Sequence, residues 1–101
     1  MNDLREYRYP FSQSVRYECS RGRRILAFGE GKTLGMSSHE ICFTTQHDLK
    51  SGDGVHLTVS WPVLLNNACR IQLEIMGKLI HAEPGKAIAR ITHHVFRRVV
   101  L

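Results

Sequence analysis

Apolar and polar residues alternate along most of this chain with a period of two, the spacing at which successive side chains of a β-strand point to opposite faces. The pattern is clearest at residues 14–19, 55–61 and 70–75. We therefore predict three strands, each with one buried face. The side chains expected to point inward in the first two are Val15, Tyr17, Cys19, Val55, Leu57, Val59 and Trp61.

Glycine, proline and asparagine separate these runs. Turns are predicted at residues 21–23, 29–32, 35–38, 66–67 and 83–86, and a loop at residues 46–54. Pro62 is expected to end the strand before it, and Gly77 to mark a bulge in a long hairpin. Further strands are predicted at residues 24–28, 41–43 and 87–91, with residues 95–101 either a short strand or a turn of helix. Short strands between Gly-rich turns predict an all-β fold, a small antiparallel barrel with little or no helix.

Length and composition limit the chain to one domain, because 101 residues with 43% hydrophobic content suffice for a single packed core. No apolar run approaches the ~20 residues that cross a bilayer, and the first residues lack the apolar segment of a secretory signal. We therefore expect a cytoplasmic protein with no membrane contact. It divides into an N-terminal arm (residues 1–12), a barrel (residues 13–96) and a C-terminal tail (residues 97–101).

The three cysteines, Cys19, Cys42 and Cys69, are widely spaced and odd in number, so they cannot all pair within one chain. Reduced thiols in a reducing compartment are the expectation. Neither they nor the six histidines show the spacing of a zinc site, and no metal or cofactor is predicted.

Net charge is +5, from 14 basic and 9 acidic residues, and the excess is unevenly distributed. The basic residues of the first third are Arg5, Arg8, Arg16, Arg21, Arg23, Arg24 and Lys32, and four more follow from Lys86 onward without an acidic residue. Such a field attracts nucleotides, nucleic acids or acidic protein faces. The same excess of basic residues is also found on surfaces whose charges serve only to keep a protein soluble.

Several motifs occur in a characteristic order. A basic arm comes first, and the sequence Gly-Met-Ser-Ser-His-Glu spans residues 35–40. The pattern L-x-x-G-x-x-V-x-L-x-V-x-W-P then runs from Leu49 to Pro62, and a hairpin with an internal Gly77 follows. This order resembles a PilZ domain, the small β-barrel with which bacteria sense cyclic di-GMP, over roughly residues 5–96. The resemblance implies a six-stranded split barrel and a role in signalling.

The resemblance also implies a ligand site. In PilZ domains an R-x-x-x-R motif in the arm and a [D/N]-x-S-x-x-G motif in the turn hold cyclic di-GMP. A guanidinium suits this ligand because its planar fork bonds phosphate and the guanine edge alike. Here the two arginines of the arm are three positions apart, whereas the motif requires four. Arg23 or Arg24 could replace the missing arginine. Two positions of the turn also depart from the motif. The implied ligand-binding residues are Arg5, Arg8, Gly35, Ser37, Ser38 and Glu40, with Gly35 in place of Asp or Asn and Glu40 in place of glycine. Weak binding is therefore expected.

Other functions fit the same residues. The departures at Gly35 and Glu40 also suit a PilZ-like module that binds a protein partner through a barrel edge and the basic tail. Single-stranded nucleic acid ranks third as a ligand. It would use Tyr7, Tyr9, Phe11 and Tyr17 interleaved with Arg5, Arg8 and Arg16 as a stacking platform. No catalytic motif is present, so an enzyme is not expected. The oligomeric state is left open.

Overall fold

The computed structural model describes residues 12–66 and 68–99, and these residues form one antiparallel β-barrel. Its strands are β1 (Ser14–Arg21), β2 (Arg24–Met36), β3 (Glu40–Thr44), β4 (Gly54–Ser60), β5 (Ile71–Glu83) and β6 (Lys86–Arg98). They are hydrogen-bonded in the order β1-β2-β3-β6-β5-β4, and β4 returns to β1 to close the ring. The predicted all-β class and the six antiparallel strands are confirmed. Within the described ranges there is no helix that could span a membrane.

β2 is a continuous strand of thirteen residues, so the turn predicted at residues 29–32 is wrong. Gly29 and Gly31 lie inside this strand, where other parts of the barrel approach its backbone closely. A β-carbon at Gly29 would lie 2.6 Å from the Tyr17 hydroxyl oxygen, and one at Gly31 would collide with the carbonyl oxygen of Thr44. The two glycines therefore allow close packing rather than a reversal of the chain.

The β5–β6 hairpin is also longer than predicted. The expected bulge occurs at Gly77, where the register shifts, and the expected tight turn has Gly85 at φ +84°. β6 continues past Ile91 to Arg98, so residues 95–98 are strand, and Arg97 and Arg98, assigned to the tail, belong to β6. The hairpin is therefore long enough for its far end to extend past its neighbour β3.

The core is built from the inward face of every strand. Its largest fully buried side chains include Tyr17, Phe43, Ile41, Leu57, Leu73, Ile75 and Leu79. The inward positions predicted in β1 and in β4 are all buried, with the exception of Trp61, which follows the end of β4 and is only partly buried. Trp61 instead packs edge-on against Phe96, with ring centroids 5.0 Å apart. It closes one end of the barrel rather than filling the middle.

One ion pair connects β1 to the loop that precedes β4. Arg21 donates from Nε to Asp53 Oδ1 at 2.9 Å and from its terminal nitrogen to Oδ2 at 3.1 Å, a two-point contact on a nearly buried carboxylate. The hydrogen bond from Arg21 is the main cause that lowers the pKa of Asp53. The pair thus favours the ionised carboxylate in the folded state.

This geometry predicts a pH-dependent contribution of Asp53 to stability. Its folded pKa lies below the unfolded value of ~3.9, so the stabilisation is complete above that value and is lost as the pH falls through the folded pKa. Asp53→Asn should therefore lower the midpoint of thermal unfolding at pH 7 by several degrees and have little effect near pH 2. An equal loss at both pH values would show that the ion pair does not stabilise the fold.

The thiols should differ in reactivity. Burial, assisted by the nearby Asp53 carboxylate, raises the pKa of Cys19 to about 11, and burial also raises the pKa of Cys42. Because the thiolate is the reactive form, both should react slowly with a disulfide reagent at pH 8, whereas the partly exposed Cys69 should react quickly. Thiol titration of the folded protein should show one fast group, which Cys69→Ser removes. Fast reaction of two or three thiols in native protein would contradict this arrangement.

Candidate functional site

The chain enters the barrel beside the end of β2. The Gln13 N–H donates to the Thr33 hydroxyl at 2.8 Å, and the Thr33 N–H donates to the Gln13 carbonyl at 2.9 Å. Since β1 runs antiparallel to β2, the residue that precedes β1 lies two positions before Gly35 in the neighbouring strand. The N-terminal arm, with the predicted Arg5 and Arg8, lies outside the described residues, but its point of attachment is next to the predicted turn.

The turn between β2 and β3 is shorter than predicted, because β2 continues to Met36 and includes Gly35. Ser37 organises what remains. Its hydroxyl oxygen accepts hydrogen bonds from the N–H groups of His39 (3.1 Å) and Glu40 (3.0 Å), and its own N–H donates to the Glu40 carbonyl at 2.8 Å. This side-chain-to-backbone pattern is typical of serine turns. The Ser37 oxygen is therefore occupied within the loop, and its hydroxyl proton makes a long contact of 3.5 Å with the Glu40 carbonyl oxygen.

Strand register brings the other turn residues close together at one end of the barrel. Gly35 pairs with Cys42, and Glu40 pairs with Arg90 in β6. The core residues Ile41 and Phe43 alternate with Cys42 and Glu40 along β3, so the latter two point away from the core. Gly35 pairs with Cys42 and is itself buried, whereas the side chain of Ser38 is exposed. Four of the six predicted positions thus meet in one place, hereafter the turn site (Gly35, Ser37, Ser38 and Glu40).

Arg90 joins the turn site, and sequence reasoning did not single it out. It lies opposite Glu40 in the β3–β6 ladder and is exposed. The pairing depends on a register between residues fifty positions apart, which no local pattern reveals. Arg90 supplies a guanidinium at the place where the motif would direct a phosphate, while Glu40 supplies a negative charge there.

Arg23 and Arg24, considered as replacements for a missing arginine, lie too far away. They sit at the β1–β2 turn, at the opposite end of β2 from Gly35. At ~3.3 Å per residue, the eleven positions between Arg24 and Gly35 correspond to roughly 30 Å or more. These two side chains cannot share a ligand of dinucleotide size with the turn site.

The described residues of the turn site border only a shallow depression. The nearest depression, of about 180 Å³, is lined mainly by apolar side chains, including Met36, Leu73 and Phe96. Ligand pockets for molecules of this size usually measure ~300–1,000 Å³. A depression of about 690 Å³ lies elsewhere, on the outer face of β2, β1 and β4, but Glu18 and Glu30 line it. Arg16 is the one arginine or lysine in its lining, so the two carboxylates give this depression a net negative charge that disfavours a doubly anionic ligand.

The stacking platform proposed for nucleic acid is incomplete. Tyr17 is 1% exposed inside the barrel, where its hydroxyl accepts from the Gln46 N–H at 2.9 Å and is hydrogen-bonded to His47 Nδ1 at 2.7 Å. A base cannot stack on a ring that is enclosed on all sides. The prediction for Tyr17 is wrong, and Tyr7, Tyr9 and Phe11 lie outside the described residues.

In residues 12–66 and 68–99, no group of three or more His, Cys, Asp or Glu side chains is placed to hold a metal ion. The chain matches no family model, no curated protein and no solved structure. Its function must therefore be inferred from the turn site and the surrounding surface.

Proposed function

We propose that this chain is a PilZ-like bacterial signalling domain of the cytoplasm that binds cyclic di-GMP weakly on the outer surface of its barrel. The observation that supports this most is the attachment of Gln13 to Thr33, which places the origin of the arginine-bearing arm next to the turn site. The six-stranded barrel and the position of the turn between β2 and β3 agree with the resemblance in sequence.

The ligand chemistry divides between the arm and the barrel. Arg5 and Arg8 provide guanidinium groups for the phosphates and guanine edges, and Arg90 provides a third near the turn. The Ser37 hydroxyl lies 3.5 Å from the Glu40 carbonyl oxygen and the exposed Ser38 hydroxyl lies 3.4 Å from His39 Nδ1, and both would exchange these long contacts for hydrogen bonds to the ligand. Of the described groups, Arg90 and Ser38 are exposed and Ser37 is partly exposed, which suits an anionic ligand that remains partly solvated.

Glu40 and Gly35 explain why the binding should be weak. At a separation of ~5 Å and an effective dielectric constant of ~20, the repulsion between Glu40 and a phosphate costs about 3 kcal/mol. That corresponds to roughly a hundredfold in affinity. Gly35 lacks the carboxylate or amide that would accept a hydrogen bond from guanine, which removes a further favourable contact.

Calorimetric titration of the full chain with cyclic di-GMP tests the proposal. We expect binding in the high micromolar range, weakened by salt, and abolished in the double variant Arg5→Ala, Arg8→Ala. The matched control Arg23→Ala, Arg24→Ala removes the same charge at the far end of β2 and should bind normally. Absence of binding at millimolar ligand, or equal loss in both double variants, would overturn the proposal.

A second candidate, a protein-interaction module, is favoured by apolar side chains on the outer surface. Phe28, Ile25 and Met76 are 74%, 58% and 54% exposed. Large apolar residues exposed together on a small domain are typical of interaction surfaces. This function does not require the nucleotide, so it would be the better account if the titration with cyclic di-GMP gave no heat of binding.

A further inference from the structure

The strand β6 extends beyond its neighbour β3, and among the described strands none pairs with this part of its edge. β3 pairs with β6 only from Lys86 to Arg90, and the contact ends where the Ile91 N–H donates to the His39 carbonyl at 2.7 Å. β5 continues to pair with the other side of β6 as far as Arg98. The segment from residue 93 to residue 98 is therefore a short edge that no described strand covers, hereafter the open edge.

The register identifies which backbone groups point to this open edge. The Val99 N–H donates to the Arg70 carbonyl beside β5 at 2.9 Å, so the odd-numbered residues after the bulge face β5. The backbone N–H and C=O groups of His94, Phe96 and Arg98 then point away from it. None of the three forms a backbone hydrogen bond on that side with a residue in the described ranges. They form a row of donors and acceptors that an added strand can satisfy.

An apolar surface lies beside the open edge. Phe96 pairs with the core residue Leu73 across the β5–β6 ladder, and His94 pairs with Ile75, so these side chains share the inward-facing side of the hairpin. Here the hairpin passes the end of the barrel, and Phe96 is 49% exposed. With Met36 from β2 they border the depression of about 180 Å³, which has room for one or two apolar side chains.

Basic side chains flank the open edge, with Glu40 as an acidic neighbour opposite Arg90 in the β3–β6 ladder. Arg90 and Arg98 are exposed, His93 and His94 lie between them, and none of the four forms an ion pair with a described residue. Arg97 differs, because it donates from Nε to Glu74 at 3.0 Å. A partner strand that carries carboxylates would therefore complement this side of the barrel.

The open side of β2 is less suitable for an added strand. There the Lys32 N–H already donates to the Thr44 hydroxyl at 2.8 Å and the Glu30 N–H to the Gln46 side chain at 3.4 Å. A register shift at Leu26 interrupts the pairing with β1 nearby. Bulges and occupied donors are the usual ways in which a sheet edge is protected from further pairing.

We propose that the edge of β6 at His94, Phe96 and Arg98 binds an extended acidic segment of a partner protein by β-strand addition. Main-chain hydrogen bonds to these three residues supply the affinity, as in other complexes of this kind. Alternate side chains of the partner enter the apolar depression beside Phe96 and Leu73. Its carboxylates meet Arg90 and Arg98.

Hydrogen exchange followed by NMR tests the edge directly. In the free protein the amides of His94, Phe96 and Arg98 should exchange quickly, and those of His93, Val95 and Arg97, which face β5, should exchange slowly. A synthetic peptide in which Glu and Val alternate should then slow the three fast amides by about tenfold or more when it is added at saturation. Protection of these amides in the free monomer would overturn the proposal, because the edge would already be occupied by the chain itself.

Binding of the peptide, measured by fluorescence anisotropy, tests the partner chemistry. A peptide that alternates Lys and Val should bind at least about tenfold more weakly, and so should the acidic peptide after N-methylation of alternate backbone nitrogens. Arg98→Glu should weaken binding similarly, whereas the matched control Arg23→Glu, at the other end of the barrel, should leave it unchanged. Equal affinity for the acidic and basic peptides, or no binding at all, would overturn the proposal.

Oligomerisation gives a further outcome. If the three amides become protected only as protein concentration rises, and sedimentation shows a dimer, the occupant is a second copy of this chain and the proposed partner is wrong. The peptide experiments contain no nucleotide. If the peptides did not bind, the cyclic di-GMP proposal would therefore be unaffected. If cyclic di-GMP did not bind, the strand-addition proposal would be equally unaffected.

Discussion

Replacing Gly31 with alanine should lower the free energy of unfolding by about 3 kcal/mol. A β-carbon at this position would overlap the carbonyl oxygen of Thr44 and lie 2.7 Å from its hydroxyl oxygen. The obstacle is backbone in β3, which cannot move without disturbing the ladder with β6. Overpacking of this kind costs ~1–3 kcal/mol when side chains can adjust, and the rigid carbonyl places Gly31 at the upper end. Urea denaturation at pH 7 measures the change.

Gly54→Ala provides the matched control for Gly31→Ala. Gly54 also lies in a strand, but a β-carbon there would meet the Ser20 hydroxyl at 3.3 Å, which can rotate away, and the Ser20 carbonyl oxygen at 3.6 Å, an ordinary van der Waals contact. Its effect should remain below about 1 kcal/mol. If the two variants were equally stable, the path of β2 through residues 29–32 would be wrong, and with it the position of the turn site at the end of that strand.

The double change Glu40→Gly with Gly35→Asp should raise the affinity for cyclic di-GMP by roughly a hundredfold. Removing Glu40 eliminates the repulsion of about 3 kcal/mol from a nearby phosphate. Gly35 pairs with Cys42 on the face of β3 opposite to the core residues Ile41 and Phe43, and an aspartate there would supply the carboxylate of the motif. The carboxylate can then accept hydrogen bonds from the guanine edge. Calorimetric titration of both proteins under the same salt conditions gives the comparison.

Single changes separate the effect of the local charge from that of net charge. Glu40→Gln should raise the affinity by at least about tenfold. Glu30→Gln, which makes the same change in net charge on the outer face of β2, should have little effect because exposed charges beyond a Debye length of ~8–10 Å are screened. Equal gains from the two single variants would mean that the ligand responds only to overall charge. If the double change did not raise the affinity for cyclic di-GMP, the turn site would not be the binding site for this ligand.

The sequence predicted best those strands that bury one face and expose the other. In β1 and β4 the apolar residues alternate strictly, and the inward positions from Val15 to Val59 are buried. β2 was divided wrongly because a Gly-x-Gly sequence is compatible with a turn and with close packing. The structure is a close-packed strand because Gly29 lies against Tyr17 and Gly31 against Thr44. Each of these contacts joins residues more than ten positions apart, so the local sequence does not reveal them.

The end of β6 was harder to predict for a different reason. From His93 to Arg98 both faces of the strand are largely accessible, so no alternation of apolar and polar residues marks it. Its pairing with β5 supplies the structure that local preference does not. The same lack of covering neighbours leaves one edge of β6 open, and for this reason the open edge could not be located from the sequence.

The candidate site was partly accessible from the sequence. The short motif located the turn and the departures at Gly35 and Glu40, which the strand register places close together at one end of the barrel. The motif did not reveal that the Ser37 oxygen is used to hold the turn, since that depends on loop geometry. Nor did it reveal Arg90, which approaches Glu40 only through the β3–β6 ladder.

An NMR titration of the isotopically labelled full chain with cyclic di-GMP tests the central claim most directly. We predict saturable shifts of the backbone amides of Gly35, Ser38, Glu40 and Arg90, with half-saturation at high micromolar ligand. The amides of the β1–β2 turn, at the far end of the barrel, should not change. No shifts at millimolar ligand, or shifts confined to the β1–β2 turn, would contradict the assignment of cyclic di-GMP to the turn site.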